Sequence, residues 1–115
     1  MAKEDMFTSA TRLSGDRAGV FEYDGETGYF YLYDTKGANN RKVVAAIRIM
    51  SEVPDFDESD VEIRWDASGN KVGLYIKRRL WAAFDVLTGS KYGGDYRFDA
   101  LPDIPSDVLD SFGGQ

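Results

Sequence analysis

The 115-residue chain contains no cysteine and no histidine. Without thiols there is no disulfide scaffold, thiolate metal site or cysteine nucleophile, and without imidazole the side chain most often used as a base near neutral pH is gone. Basic residues are also scarce: 14 Lys and Arg face 20 Asp and Glu, for a formal charge of -6. That sign is wrong for tracking a phosphate backbone or an anionic bilayer, so neither nucleic acid nor membrane is expected as a partner. Glycine-rich phosphate loops of the G-x-G-x-x-G or G-x-x-x-x-G-K-[ST] kind are missing too. Long apolar runs are absent, and Met1 to Ser9 carries Lys3, Glu4 and Asp5, which reads as neither signal peptide nor anchor. A cytoplasmic location is the expectation.

What is present points to a folded β domain. With 43% hydrophobic, 14% aromatic and 30% charged residues, the chain is too apolar for disorder and too interrupted by charge for a membrane protein. Residues 1–16 hold isolated apolar side chains without a period and read as a flexible N-terminal arm, leaving 17–115 as a single globular domain. Val20-Phe21-Glu22-Tyr23 and Tyr29-Phe30-Tyr31-Leu32-Tyr33 flank a short loop containing Gly25 and Gly28, which predicts a β-hairpin. Lys42 to Met50 fits either a helix face or a strand face; its β-branched residues favour strand, with a helix over 41–52, and hence an α+β fold, as the alternative. Ser51 to Asp60 reads as an acidic loop broken by Pro54.

Alternation resumes after that loop. Val61, Ile63 and Trp65 point one way and Glu62, Arg64 and Asp66 the other, which makes Trp65 a candidate core residue. The chain turns at 67–70 into Val72, Leu74 and Ile76, then at Lys77-Arg78-Arg79 into Leu80 to Val86, although arginine is ill suited to the positive φ of a tight turn. Tyr96-Arg97-Phe98 suggests a short edge strand, and the Ser106 hydroxyl is expected to cap a brief helix through Phe112. The predicted fold class is mainly β: an antiparallel meander sheet of about six short strands with a short C-terminal helix.

The blocks Phe21-Glu22-Tyr23-Asp24-Gly25-Glu26-Thr27-Gly28-Tyr29-Phe30-Tyr31, Trp65-Asp66-Ala67-Ser68-Gly69-Asn70 and Trp81-Ala82-Ala83-Phe84-Asp85 resemble a family of small bacterial proteins of unknown function. The resemblance spans roughly residues 18–97. It implies a bacterial origin and a compact fold; the family has no assigned activity, so no functional residues carry over. In place of the Gly-containing turn expected of the family, this chain has Arg78-Arg79.

Chemistry-bearing candidates are few. Oxygen ligands alternate from Asp55 to Asp60 as in a calcium loop, but an EF-hand needs Gly where Asp60 stands and a bidentate Glu where Asp66 stands, so a solvated acidic loop is the better reading and no metal or cofactor is expected. Glu22, Asp24 and Glu26 form a carboxylate set of the kind acid–base catalysis uses, yet their place beside a turn favours ordinary solvation. Lys77, Arg78 and Arg79 near Tyr75 and Trp81 resemble a base-stacking cluster, but read more simply as a charged hairpin tip. Tyr29, Tyr31 and Tyr33 present three phenols on one strand face, a large apolar surface with polar tips that suits contact with another protein.

Together these features predict a non-enzymatic protein-binding module whose contact residues are Tyr29, Tyr31, Tyr33, Asp55, Asp57 and Glu58, with a basic protein as partner. An immunity-type inhibitor of a basic toxin is its specific form. The alternatives are a small-ligand receptor or enzyme working with carboxylates and tyrosines, and a self-associating homodimer.

Overall fold

A computed structural model describes residues 5–36, 42–97 and 99–113. The hairpin anticipated around Gly25 forms first in sequence logic. Asp24 Oδ1 accepts the backbone N–H groups of Glu26 and Thr27 at 2.9 and 2.8 Å while Gly25 takes a φ of 97°, joining β2 (Arg17–Tyr23) to β3 (Gly28–Asp34). Strand β4 (Lys42–Met50) pairs antiparallel with β3, which resolves the helix-or-strand ambiguity for strand. β1 (Met6–Thr11) completes a four-stranded meander in the order β1-β2-β3-β4. This corrects the reading of residues 1–16 as an arm: Met6 is buried, and every residue of β1 has a partner in β2. Isolated apolar residues conceal such a strand because its identity comes from pairing, not periodicity.

A second antiparallel meander follows. It comprises β5 (Val61–Trp65), β6 (Lys71–Ile76), β7 (Arg79–Asp85) and β8 (Lys91–Gly93), in that order. The fold is mainly β with one short helix, built as two sheets of four strands. Inner-face residues Phe21, Tyr23, Phe30, Leu32, Ile47 and Ile49 of the first sheet meet Val61, Ile63, Val72, Leu74, Ile76 and Phe84 of the second in one core, where the Phe30 and Phe84 rings sit 5.0 Å apart. Each such fully buried side chain contributes about 1.5–3 kcal/mol. Trp65 is half-buried at the rim of this core, not inside it, and its indole Nε1–H donates to the Ala10 carbonyl at 2.9 Å.

Both open sides of the sandwich are stitched. At one, Trp65 reaches β1 and Arg12 Nη1 donates to the Gly69 carbonyl at 2.8 Å. At the other, Gly94 N–H bonds to Trp81 O, and then Asp95 and Tyr96 N–H bond to Arg48 O and Ile49 O of β4. The chain thus leaves the second sheet and joins the first within three residues, Gly93, Gly94 and Asp95, all left-handed with φ of 79°, 107° and 51°. The edge strand expected at 96–98 is therefore displaced to Lys91–Gly93; Tyr96 and Arg97 lie outside any strand, and Phe98 lies outside the described residues.

Two further expectations change in detail. The turn between β6 and β7 is Lys77-Arg78, with φ of 52° and 70°, so two long basic residues occupy the conformation that glycine normally takes, at about 1–2 kcal/mol each. Helix α1 (Ser106–Ser111) begins at Ser106, with Pro105 at the cap position; no side chain caps it, and the Pro105 carbonyl accepts the N–H groups of Val108 and Leu109. Ser106 is thus the first helical residue, one position past the cap from which a hydroxyl accepts a first-turn N–H. Among the described residues no helix is long and apolar enough to cross a membrane.

Gly93 tests the corner. An added Cβ would collide with the Trp81 carbonyl and stand 2.7 Å from Ile104, whereas at Gly69, also left-handed, it would meet nothing. Gly69→Ala should cost about 1–2 kcal/mol from φ alone. Gly93→Ala should cost about 2 kcal/mol more in urea unfolding, because backbone must move. Equal losses would show that the corner is not constrained as described.

Candidate binding surface

Register decides what each outer face carries. Residues directly opposite in a ladder point to the same side, so β1 to β4 present three cross-strand rows on the outer face of the first sheet. They are Phe7, Glu22, Tyr29 and Arg48; Ser9, Val20, Tyr31 and Ala46; and Thr11, Ala18, Tyr33 and Val43. The three tyrosines are brought together as the alternation predicts. Tyr29 and Tyr31 stack at 5.7 Å with planes 13° apart, Tyr31 and Tyr33 meet edge-on at 5.9 Å, and all three are half-buried. Ala18 and Val20 are buried beside them, while Phe7 and Val43 remain about half exposed.

The outer face of the second sheet is treated differently. Tyr75, Leu80 and Ala83 are buried there under Val108, Leu109 and Phe112 of α1 and its flank, with Ile104 alongside. Gly73 leaves room for this packing: a Cβ at that position would stand 2.5 Å from Leu80 and 3.1 Å from the Phe112 ring. Among the described residues no helix lies over the tyrosine row.

Carboxylates act on the middle phenol of the row. Burial first, and then the charges of Glu22 and Asp24 with the neighbouring phenols, push the Tyr31 hydroxyl pKa up. Asp24 is held low by the backbone N–H groups of Thr27 and Glu26, so it stays ionised. Glu22 and Asp24 stand exposed on this face and its hairpin end, not converging in an apolar pocket as acid–base chemistry would need.

The acidic loop is more structural than its sequence suggests. Asp55 Oδ1 accepts the Tyr96 hydroxyl at 2.6 Å and Oδ2 accepts Lys77 Nζ at 2.9 Å, tying the β6–β7 turn and the sheet-switching corner to the loop. Asp57 N–H donates to Asp60 at 2.9 Å in a short 3-10 turn over Glu58–Asp60. Glu58 Oε2 lies 3.4 Å from the Phe7 N–H, at the β1 edge of the tyrosine face. Of the three predicted acidic contacts, Glu58 therefore meets the β1 edge, two strands from the tyrosines, and Asp55 anchors the corner at Tyr96 and Lys77.

Two residues of this network escape sequence reasoning. Phe56 is buried within the acidic run, against Phe21 and Tyr96, and a lone aromatic among carboxylates is the signal of an anchored loop. Tyr96 also packs edge-on against Trp81 at 4.7 Å, and no local pattern marks it. Beside it lies a cleft of about 150 Å³ lined by Met50, Val53, Asp55 and Tyr96 among others.

A bacterial family described as "Uncharacterized protein conserved in bacteria (DUF2251)" matches residues 1–94. The chain belongs to this family. The matched span covers all eight strands, including the tyrosine row and the acidic loop, and stops short of Tyr96 and α1. An uncharacterized protein of Haemophilus influenzae is 30% identical over 93 residues, covering 72% of this chain and 57% of that protein, so the chain spans little more than half of that relative's length. No solved structure matches.

Asp55 gives a pH test. Burial raises its pKa as the largest single influence, but the hydrogen bonds from Tyr96 and Lys77 together outweigh it, and the net shift is downward. A carboxylate depressed in the folded state stabilises above its unfolded value of about 3.9 and loses that contribution as pH falls through the folded value. Asp55→Asn should therefore lower Tm at pH 7, by less than about 1 kcal/mol equivalent because the pair is partly solvated, and the gap to the parent should close below about pH 4. A gap constant from pH 2 to 7 would mean that the ionised pair contributes nothing.

Proposed function

We propose that the chain is a non-enzymatic, cytoplasmic bacterial protein-binding module whose docking surface is the outer face of β1–β4, and that its partner is a basic protein. One observation carries the reading: the aromatic outer face of the second sheet is covered by α1, whereas the tyrosine row on the first sheet is covered by no described element. Tyrosine supplies large rigid contact area at low rotamer cost and keeps a polar tip for the unbound state, which is why it concentrates at interface centres. Glu22 and Asp24 beside the row and Glu58 at the β1 edge, with the chain's charge of -6, favour a cationic surface opposite. In the narrower form, an immunity-type inhibitor, that cationic partner is a toxin encoded directly upstream.

Exposed charges and the aromatic centre should act on different rate constants. Against the partner recovered by photo-crosslinking from position 31, Tyr31→Ala should raise the dissociation rate by about thirtyfold, as expected for a buried aromatic anchor worth about 2 kcal/mol. Glu22→Gln with Glu58→Gln should instead slow association, and only at low salt, because such charges act over a Debye length of about 8–10 Å. An unchanged dissociation rate in folded Tyr31→Ala would remove the face from the interface.

A further inference from the structure

The second sheet contains a worked version of what the first sheet leaves open. Glu62 of β5 lies directly opposite Tyr75 of β6, and Arg64, two residues nearer the turn, closes the set. Its guanidinium bonds to Glu62 Oε2 at 2.9 Å and stands 4.9 Å over the Tyr75 ring. In the first sheet the same cross-strand pair recurs as Glu22 opposite Tyr29, again in a hairpin. Two residues nearer the turn, where the second sheet has Arg64, the first has Asp24, whose carboxylate is occupied by the N–H groups of Glu26 and Thr27. Among the described residues, cations stand over Trp65 and Tyr75, and none over Tyr29, Tyr31 or Tyr33. Arg48, the neighbour of Tyr29 on β4, is directed to the Ser51 hydroxyl at 3.4 Å. Ring and carboxylate are in place with no described cation over the ring, the neighbouring Arg48 being engaged at Ser51 instead.

Resting on the proposed docking face, we infer that the Glu22–Tyr29–Tyr31 patch is a guanidinium subsite that takes an exposed arginine side chain of the partner protein. Arginine fits better than lysine, because its planar fork can bond to Glu22 while its face lies against a phenol ring, as Arg64 does within this chain. A second copy is a poorer occupant, since two surfaces with Glu22 and Asp24 exposed on chains of charge -6 repel at long range.

The test is a titration of the isotope-labelled protein with three synthetic peptides, Thr-Arg-Thr-Arg-Thr and its lysine and citrulline counterparts, followed by NMR signals of Glu22, Tyr29 and Tyr31. The arginine peptide should shift these signals saturably, the lysine peptide should bind roughly two- to fivefold more weakly, and citrulline should leave them unmoved. Glu22→Gln should weaken the arginine peptide by a similar roughly two- to fivefold factor, Tyr29→Ala should abolish its effect, and Tyr29→Phe should keep it. Equal response to all three peptides, or shifts confined to residues 52–60, would overturn the subsite. So would a dimer in light scattering that Arg48→Ala dissociates, because the guanidinium would then come from a second copy. A partner complex that depends on Tyr31 while the peptides show no preference for arginine would defeat the subsite and leave the docking face standing.

Discussion

Closing two four-stranded sheets over one core requires their edges to be satisfied, and at the far edge that depends on the left-handed backbone of Gly93, Gly94 and Asp95. A strand that simply continued from β8 would run on along the second sheet and leave the end of β4 unpaired. Three successive positive φ values turn it instead across the gap, so that Asp95 and Tyr96 donate to Arg48 and Ile49. Tyr96 then plugs the corner against Trp81 and Phe56, and its hydroxyl reaches Asp55, which holds Lys77. Burial first, and then Asp55, push the Tyr96 hydroxyl pKa up, so this phenol stays a donor across the ordinary pH range. The strained Lys77-Arg78 turn, the acidic loop and the sheet junction are thereby one coupled unit, and Lys77's ion pair offsets part of the cost of its backbone conformation.

How much of this was legible follows from where each signal lives. β3 and β5 alternate cleanly because each has one face on the core, β2 and β6 carry β-branched and aromatic runs buried on both faces, and Gly25 and Gly69 mark the turns, so all four could be read directly. β4 was readable from its β-branched residues. β1 was not: its apolar content is a few residues, and its existence follows from the unpaired edge of β2, a tertiary fact. The shift of the last strand from 96–98 to Lys91–Gly93 has the same origin, since nothing local to Tyr96 says that it must serve the other sheet. The Lys77-Arg78 turn was located but its geometry ran against residue preference, as happens when strand pairing on both sides fixes a two-residue loop.

For the surface, the tyrosine row was visible as a two-residue period, but whether it was covered was not. That depends on where α1 docks, and one contributor is Gly73, an isolated glycine in a strand whose missing side chain leaves space for Leu80 and Phe112. On the first sheet no such gap exists: the outward positions beside the row are Ala18 and Val20, already buried, with the rings standing over them. A helix laid there would have to displace rings instead of filling a hollow. The acidic loop illustrates the opposite case, where sequence suggested a solvated contact and structure shows Asp55 engaged by two partners.

The residues on the open face suit a sheet surface that stands partly in water. Leucine or phenylalanine at 29, 31 and 33 would cover Ala18 and Val20 equally well, but three such side chains beside Phe7 and Val43 would form a continuous exposed apolar patch on a β-sheet, an aggregation hazard. Phenols keep the ring contact and direct a hydroxyl to water. In the proposed docking role, the carboxylates near them would add repulsion between like copies and attraction for a cation. Arg64 over Tyr75 shows the chain satisfying the same ring and carboxylate pair internally, with Phe112 packed edge-on against the same ring. One hairpin supplies that arginine from its own strand and the other has Asp24 in the corresponding place, and the proposed guanidinium subsite rests on this difference.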